Sequence, residues 1–239
     1  MKKNLIFIGI VVIVLMASIL IYLNLIAKKE KPPLQEKITM PKTLEDKKIA
    51  IIVAFKDFRD EEYFVPKEIL EGAGAEVKTA SNSESAKSAD EGGEEDLSSS
   101  TKMGRALGAD GGEVEVDLLV SDLNPAYFDA VVFIGGPGCL ANLDNENSYK
   151  VAKETVSKGK VIAAICVSPI ILAKAGVLED KKATVWSSAL DRGPVAILKE
   201  NGAIYQDKTV VTDGKIITGN GPEASKEFGE AILKVLTGE

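Results

Sequence analysis

The chain has 239 residues, of which 45% are hydrophobic, enough for one sizeable core with appendages but not for two α/β domains of ordinary size. Its 29 Lys and Arg against 36 Asp and Glu give a formal net charge of −7, which argues against nucleic acid as a partner. There is no histidine, so Ser-His-Asp and Cys-His catalysis and histidine metal sites within this chain are excluded. The two cysteines form no CxxC pair, and we expect neither a disulfide framework nor a metal site.

The N-terminal segment is strongly apolar. Residues 5–27 contain few polar side chains and have lysines on both sides. Because about 20 apolar residues span a bilayer, residues 1–27 are predicted to form a single-pass transmembrane anchor, with a cleaved signal sequence as the alternative. The short basic tail resembles an export signal and favours an extracytoplasmic location for the following domain. Residues 28–46, charged and containing prolines, predict a tether.

From residue 47 to residue 239, apolar runs alternate with amphipathic segments. This alternation predicts an α/β fold, a doubly wound, mostly parallel sheet sandwiched by helices, with sites at the carboxyl ends of the strands. Predicted strands cover 48–55, 75–80, 129–134, 161–165, 183–186, 209–212 and 216–218, with an edge strand or hairpin over 112–120. Predicted helices cover about 58–73, 146–158, 169–175, 193–201 and 223–236. Pro66 is expected either in the first turn of its helix or at a kink.

An acidic, Ser-rich segment at about 82–108 interrupts this pattern. It carries six carboxylates between residues 84 and 96 against one lysine. Such a composition buries too little apolar surface to order itself, so the segment is predicted to be a solvated insertion with no assigned function.

Cys166 stands at the end of the apolar run 161–165 and is followed at once by a helix that Pro169 can open. A nucleophile on such a strand-to-helix elbow needs small residues two positions away on either side, and Ala164 and Ser168 are small. The nearby helix N-terminus is expected to favour thiolate over thiol. The alternative interpretation is a buried structural cysteine, because free cysteine often behaves as a small hydrophobe.

A glycine turn, residues 135–138, follows the apolar strand 129–134. Glycines at this place leave backbone N–H groups free to point at a ligand. The spacing lacks the G-x-G-x-x-G pattern and the lysine of nucleotide sites, so we expect no cofactor.

Four stretches of the sequence are together similar to one known family: IIVAFKDFRDEEYFVP, YFDAVVFIGGPG, VIAAICVSPIILAKAGVL and VVTDGKIITGNGPEASKEFGEAI. Their order and spacing resemble the ThiJ/PfpI family, which has the flavodoxin-like fold of class I glutamine amidotransferases and includes protein deglycases, glyoxalases and intracellular proteases. The resemblance covers residues 47–236, and the acidic insertion and the predicted anchor lie outside it.

The resemblance implies roles for four residues. Cys166 matches the nucleophile on the elbow, and Glu62 matches the acid/base carboxyl group beside its sulfur. Gly136 and Val167 match the backbone donors of an oxyanion hole. A carboxylate would repel a thiolate, so Glu62 is expected to be protonated and to donate a hydrogen bond to sulfur.

Five further residues are candidates for the pocket wall. Gly135 belongs to the glycine turn, and Cys139 follows it. A serine near the place where deglycase-type members carry a histidine could bind substrate. The candidates are Gly135, Cys139, Trp186, Ser187 and Pro222.

The resemblance implies a cofactor-independent glyoxalase or deglycase acting on small reactive carbonyls, and the apolar N-terminal segment adds the expectation that this enzyme is tethered to a membrane. The alternative is a non-enzymatic redox-sensing or chaperone-like protein with an oxidisable Cys166. A PfpI-like cysteine peptidase is disfavoured because Val167 stands where the proteolytic members have a histidine. Family members usually form homodimers or larger homo-oligomers, so one is expected here by analogy.

Overall fold

The computed structural model describes residues 44–83 and 104–238. In chain order its strands are β1 (Lys48–Val53), β2 (Lys56–Phe58), β3 (Glu76–Ser81), β4 (Arg105–Gly108), β5 (Glu113–Glu115), β6 (Leu118–Leu119), β7 (Ala130–Phe133), β8 (Val161–Ile165), β9 (Lys182–Ala183), β10 (Ile204–Tyr205), β11 (Val210–Asp213) and β12 (Ile216–Gly219). Its α-helices are α1 (Asp60–Gly72), α2 (Cys139–Leu143), α3 (Glu146–Ser157), α4 (Pro169–Lys174), α5 (Gly193–Glu200) and α6 (Ser225–Thr237). Short 3₁₀ turns add Val120–Asp122, Pro125–Tyr127 and Pro222–Ala224.

Seven strands form the main sheet, in the order β11-β12-β8-β7-β1-β3-β6. All neighbours are parallel except β11 and β12, which form an antiparallel hairpin at one edge. The three central strands β8, β7 and β1 are apolar almost throughout and buried, as expected for parallel strands covered on both faces. Their carboxyl ends therefore lie together at one edge of the sheet. The glycine turn follows β7 there, and Cys166 follows β8.

The side chains of β1 alternate between two apolar layers, one on each face of the sheet. Ala50 and Ile52 belong to the cluster that includes residues of α3, α4 and α5. Ile49, Ile51 and Val53 belong to the opposite cluster, which includes residues of α1 and α6. The predicted doubly wound, mostly parallel α/β architecture is thus present in the described residues.

Two features near the predicted insertion differ from the sequence prediction. The segment 112–120, predicted as an edge strand or a hairpin, is divided between β5 and β6, which belong to different sheets. Strand β5 pairs with β4 in a hairpin that extends β2 into a small three-stranded sheet. Residues 105–108, assigned to the solvated insertion, form β4, while most of the insertion lies outside the described residues. Ala106 is the one fully buried residue of β4, and it packs in the apolar cluster on the face of α1 and α6.

Helix α1 contains Pro66 in its interior, and the proline is buried rather than placed in the first turn. The short helix α2, directly after the glycine turn, was not predicted. Five residues give too little periodicity to distinguish a helix from a loop.

The prediction of a transmembrane helix, as part of the fold and as the basis of a single-pass membrane location, is corrected by the structure. Among residues 44–83 and 104–238, no helix is long and apolar enough to cross a membrane. The segment that carried the prediction, residues 5–27, lies outside the described residues. The anchor was inferred from the hydropathy of that segment and the lysines on both sides of it, and the prediction is not pursued further. The boundaries proposed for the tether and the domain stay predictions.

Candidate active site

Cys166 lies directly after β8 on a strained turn. Its φ is 65°, in the left-handed region that side chains other than glycine rarely adopt. Two backbone hydrogen bonds hold it there: its N–H donates to the carbonyl of Gly219 (2.9 Å), and its carbonyl accepts from the N–H of Trp186 (2.8 Å). Strain of this kind persists only when the surroundings enforce it, and it is typical of functional positions.

The side chain of Ser168 stabilises the turn by hydrogen bonds to the ends of two strands. Its buried hydroxyl accepts a hydrogen bond from the N–H of Ile165 (2.9 Å) and lies 2.8 Å from the carbonyl of Phe133, to which it can donate. Phe133 and Ile165 are the last residues of β7 and β8, so one small hydroxyl joins the two strand ends beneath Cys166. The small residue that the elbow requires at this place therefore also makes a structural hydrogen bond.

Glu62 lies in the first turn of α1 and is fully buried. Its Oε2 accepts a hydrogen bond from the N–H of Gly135 (3.1 Å). Its Oε1 has no hydrogen-bond partner of ordinary geometry among the described residues, and the Cys166 thiol is a second polar group that interacts with the Glu62 side chain. The carboxyl group and the sulfur thus share one enclosed space.

The glycine turn allows this close approach. A Cβ atom on Gly135 would lie 2.5 Å from the Cβ of Cys166 and 2.9 Å from Oε2 of Glu62, so only glycine fits between them. Gly136 has a φ of 112°, and a Cβ there would lie 2.4 Å from the backbone nitrogen of Arg59. The N–H groups of Gly136 and Val167 are hydrogen-bonded to the Cys166 sulfur.

Burial dominates the electrostatics of the pair. It raises the pKa of Glu62 from 4.5 to about 7, against the opposing effects of the hydrogen bonds to Cys166 and Gly135. Burial also raises the pKa of the Cys166 thiol to about 12, and the negative charge of Glu62 is the second cause of this rise. The N–H groups of Gly136 and Val167 lower the thiol pKa.

The sequence led us to expect a readily ionised thiolate, and this expectation is wrong for the resting site. Removing the sulfur from water outweighs the influence of the adjacent helix end and of the two N–H donors. The expected protonation of Glu62 agrees with its raised pKa.

A cavity of about 280 Å³ opens onto Cys166. It is lined by Arg59, Gly136, Pro137, Cys166, Val167, Trp186 and Pro222. Five of these were predicted site residues, whereas Arg59 and Pro137 were not. The volume suits a small molecule rather than a polypeptide.

Three predicted pocket residues do not line this cavity: Gly135, which lies between Cys166 and Glu62, and two that lie elsewhere. Cys139 is fully buried in the cluster on the face of α3 and α4, does not line the cavity, and has a pKa raised well above its ordinary value by burial. Both cysteines are free. Ser187 lines a neighbouring cavity of about 440 Å³, which shares Trp186 and Pro222 with the first.

Arg59 is the charged residue of the cavity wall that the sequence reasoning missed. It precedes α1, its N–H donates to the carbonyl of Gly135 (3.1 Å), and its guanidinium pairs with Asp110 in the loop joining β4 to β5. The signal was its place three residues before Glu62, which puts it one helical turn from the carboxyl group.

These features define a class: a flavodoxin-like α/β protein with a cysteine on a strand-to-helix elbow and a buried acid against the sulfur. The chain belongs to the DJ-1/PfpI family, whose model matches residues 47–235.

Three similar proteins illustrate the relationship. Uncharacterized protein MJ0967 of Methanocaldococcus jannaschii is 37% identical over 196 residues, 81% of this chain and 84% of that protein. Deglycase PYRAB04690 of Pyrococcus abyssi is 36% identical over 144 residues, 60% of this chain and 84% of that protein. The crystal structure of a ThiJ/PfpI domain protein from Brachyspira murdochii has a TM-score of 0.68 and 32% identity, and the alignment covers 80% of this chain and 97% of that one.

Proposed function

We propose that the protein is a cofactor-independent, cysteine-dependent enzyme acting on small reactive carbonyls, in the manner of a glyoxalase or deglycase. The observation that supports this most directly is the enclosed contact between Glu62 and the Cys166 thiol beside a cavity of about 280 Å³. The similarity to a protein named a deglycase points in the same direction.

The proposed reaction with an α-oxoaldehyde begins when the Cys166 sulfur attacks the aldehyde carbon. The thiol proton passes to the carboxylate of Glu62 and from there to the former aldehyde oxygen, so that a neutral hemithioacetal forms and Glu62 is again a carboxylate. The N–H groups of Gly136 and Val167, which now contact sulfur, lie where they can donate to the developing oxyanion.

Glu62 then moves a proton from the former aldehyde carbon to the neighbouring carbon. The first carbon is oxidised as the second is reduced, which gives a thioester. Hydrolysis of that thioester releases a 2-hydroxy acid and restores the thiol. The sum is addition of one water molecule, and no outside oxidant is needed.

A raised thiol pKa separates this proposal from the redox-sensor alternative. Oxidation by peroxide requires thiolate in the resting protein, since susceptibility follows thiolate character. Attack on a carbonyl carbon does not require a thiolate in the resting protein when a base lies beside the thiol, because the proton leaves as the carbon–sulfur bond forms. The raised thiol pKa therefore supports the enzyme rather than the sensor.

The test is turnover of methylglyoxal by the full chain. Cys166→Ala and Glu62→Gln are expected to abolish 2-hydroxy acid formation, while Cys139→Ala, which changes the buried cysteine outside the cavity, keeps most of it. Absence of turnover in the wild type, or equal turnover in Cys166→Ala, would refute the proposal. The predicted homo-oligomer is a separate proposal, checked by measuring the mass in solution.

A further inference from the structure

The cavity at Cys166 has a charged wall that the carbonyl chemistry above does not use. Arg59 is the one cationic side chain among the described residues that line it. Its guanidinium is partly buried, with 32% of the side chain exposed, and its backbone is hydrogen-bonded to the glycine turn that contacts Cys166. The arginine is thus held at the same wall as the reacting sulfur.

Only part of the guanidinium is occupied. Both hydrogen bonds to Asp110 come from Nη1, which donates to Oδ2 at 2.9 Å and to Oδ1 at 3.1 Å. Nη2 and Nε have no hydrogen-bond partner among the described residues. A guanidinium presents donors in a planar fork that matches a carboxylate, so the free edge is suited to bind one.

Asp110 is an internal competitor for this site. Its side chain is 55% exposed and its carboxylate pairs only with Arg59 within the described part of the chain. The backbone of the same loop is held separately, because the N–H groups of Asp110 and Gly112 donate to the carboxylate of Asp60. A partly exposed ion pair is weak, so an incoming anion can displace Asp110 without unfolding its loop.

We propose that Arg59 is a specificity-determining residue that selects carbonyl compounds bearing a carboxylate next to the reacting carbon. The guanidinium would hold the carboxylate while the adjacent carbonyl carbon meets the sulfur of Cys166. The reaction of an aldehyde acid such as glyoxylate is then addition of the thiol across the carbonyl, with the thiol proton ending on the new hydroxyl through Glu62. Glu223, which lines the neighbouring cavity, carries a negative charge that opposes binding of a carboxylate. The attraction for a carboxylate must therefore come from the guanidinium of Arg59.

The inference concerns the proposed active site, but its first test does not require turnover. Iodoacetate and iodoacetamide alkylate the same sulfur by displacing iodide and differ mainly in charge. The ratio of their rate constants at Cys166, followed by peptide mass spectrometry on the full chain, reports how strongly the cavity attracts a carboxylate. Cys139, which is fully buried, serves as an internal reference in every digest.

We expect the iodoacetate-to-iodoacetamide ratio to fall about fivefold to tenfold in Arg59→Gln, the size of effect that one nearby partly screened charge produces. Arg59→Lys should retain part of the ratio, and Asp110→Asn should raise it by freeing the guanidinium. Arg105→Gln is the matched control, because it removes an arginine that is paired with Glu113 in the same hairpin and does not line the cavity. An unchanged ratio in Arg59→Gln, or an equal fall in Arg105→Gln, would overturn the proposal.

A second arm links the inference to turnover. Glyoxylate should inhibit methylglyoxal turnover competitively by forming a hemithioacetal at Cys166, and Arg59→Gln should weaken that inhibition about as much as it lowers the alkylation ratio. If methylglyoxal is not turned over while the alkylation ratio depends on Arg59, the proposed function fails and carboxylate recognition stands. If methylglyoxal is turned over and the alkylation ratio does not change in Arg59→Gln, carboxylate recognition by Arg59 fails and the proposed function stands.

Discussion

The buried carboxyl group of Glu62 should make the stability of the protein depend on pH in a way that one substitution removes. Its pKa is about 7 in the folded protein against 4.5 for an ordinary glutamate. A group whose pKa is raised on folding stabilises the folded state fully below its unfolded pKa, and that contribution is lost as the pH rises through its folded value. Wild type should therefore lose stability between pH 5 and pH 8, relative to a variant without this group.

The magnitude follows from the shift. A difference of roughly 2.5 pH units at 1.36 kcal/mol per unit gives about 3 kcal/mol in total. Titration is incomplete at the two ends of the range, so about 2.5 kcal/mol should be lost between pH 5 and pH 8. The Cys166 thiol, with a pKa of about 12, stays protonated throughout and adds nothing to the slope.

The measurement is urea unfolding of wild type and Glu62→Gln at several pH values, with the difference in free energy of unfolding plotted against pH. Glutamine keeps an oxygen that can accept the hydrogen bond from the N–H of Gly135. Any remaining difference in stability that does not depend on pH shifts the whole curve and does not change its slope against pH. Glu61→Gln, at the exposed neighbouring position, is the matched control for loss of a carboxyl group from the same helical turn. A flat difference curve for Glu62→Gln would show that its carboxyl group titrates normally and would refute the reasoning from burial.

Four other outcomes are expected. Gly135→Ala should destabilise the protein by about 1–3 kcal/mol in urea unfolding and reduce Cys166 alkylation, because the new methyl group overlaps Cys166 and Glu62; wild-type stability would contradict the close approach. Ser168→Ala leaves the Ile165 N–H without its acceptor and should cost about 1–3 kcal/mol, whereas exposed Ser157→Ala should change stability by less than about 0.5 kcal/mol. Cys166→Gly should be about 1 kcal/mol more stable than Cys166→Ala, since glycine tolerates the positive φ, and equal stabilities would mean that the turn is unstrained. The kcat/KM for methylglyoxal should rise as the pH increases through about 7, because Glu62 loses its proton and becomes a base. A fall in kcat/KM over that range would contradict its proposed role.

The main architectural features could be predicted because they depend on local patterns. Apolar runs without polar interruption indicate buried parallel strands, and the run at 161–165 followed by Pro169 indicates the elbow that the structure shows at Cys166. Period and composition determine such elements without knowledge of distant residues.

Features that depend on distant parts of the chain could not be predicted in this way. The pKa of the thiol depends on how much water the fold removes, which no local pattern records. Arg59 acquires its partner Asp110 from a hairpin about 50 residues away, whose first strand lies in a segment whose composition indicated a solvated loop. Glu62 was proposed through the family resemblance, because its own surroundings in sequence, three acidic residues in a first helical turn, are equally typical of a solvated helix start.

The absence of histidine from the sequence leaves the proton handling of this site to Glu62 and Cys166. Between about pH 7 and pH 12 the pair holds one proton, because Glu62 has lost its own and the thiol retains its proton. The transfer open to the pair is therefore from sulfur to carboxylate, and it becomes favourable when a carbon atom takes the sulfur's electron pair. Burial, which raises both pKa values, keeps the thiol protonated until a substrate arrives. A cation at the cavity wall, Arg59, then favours the bound molecule without ionising the sulfur in advance, so recognition and proton transfer depend on different residues.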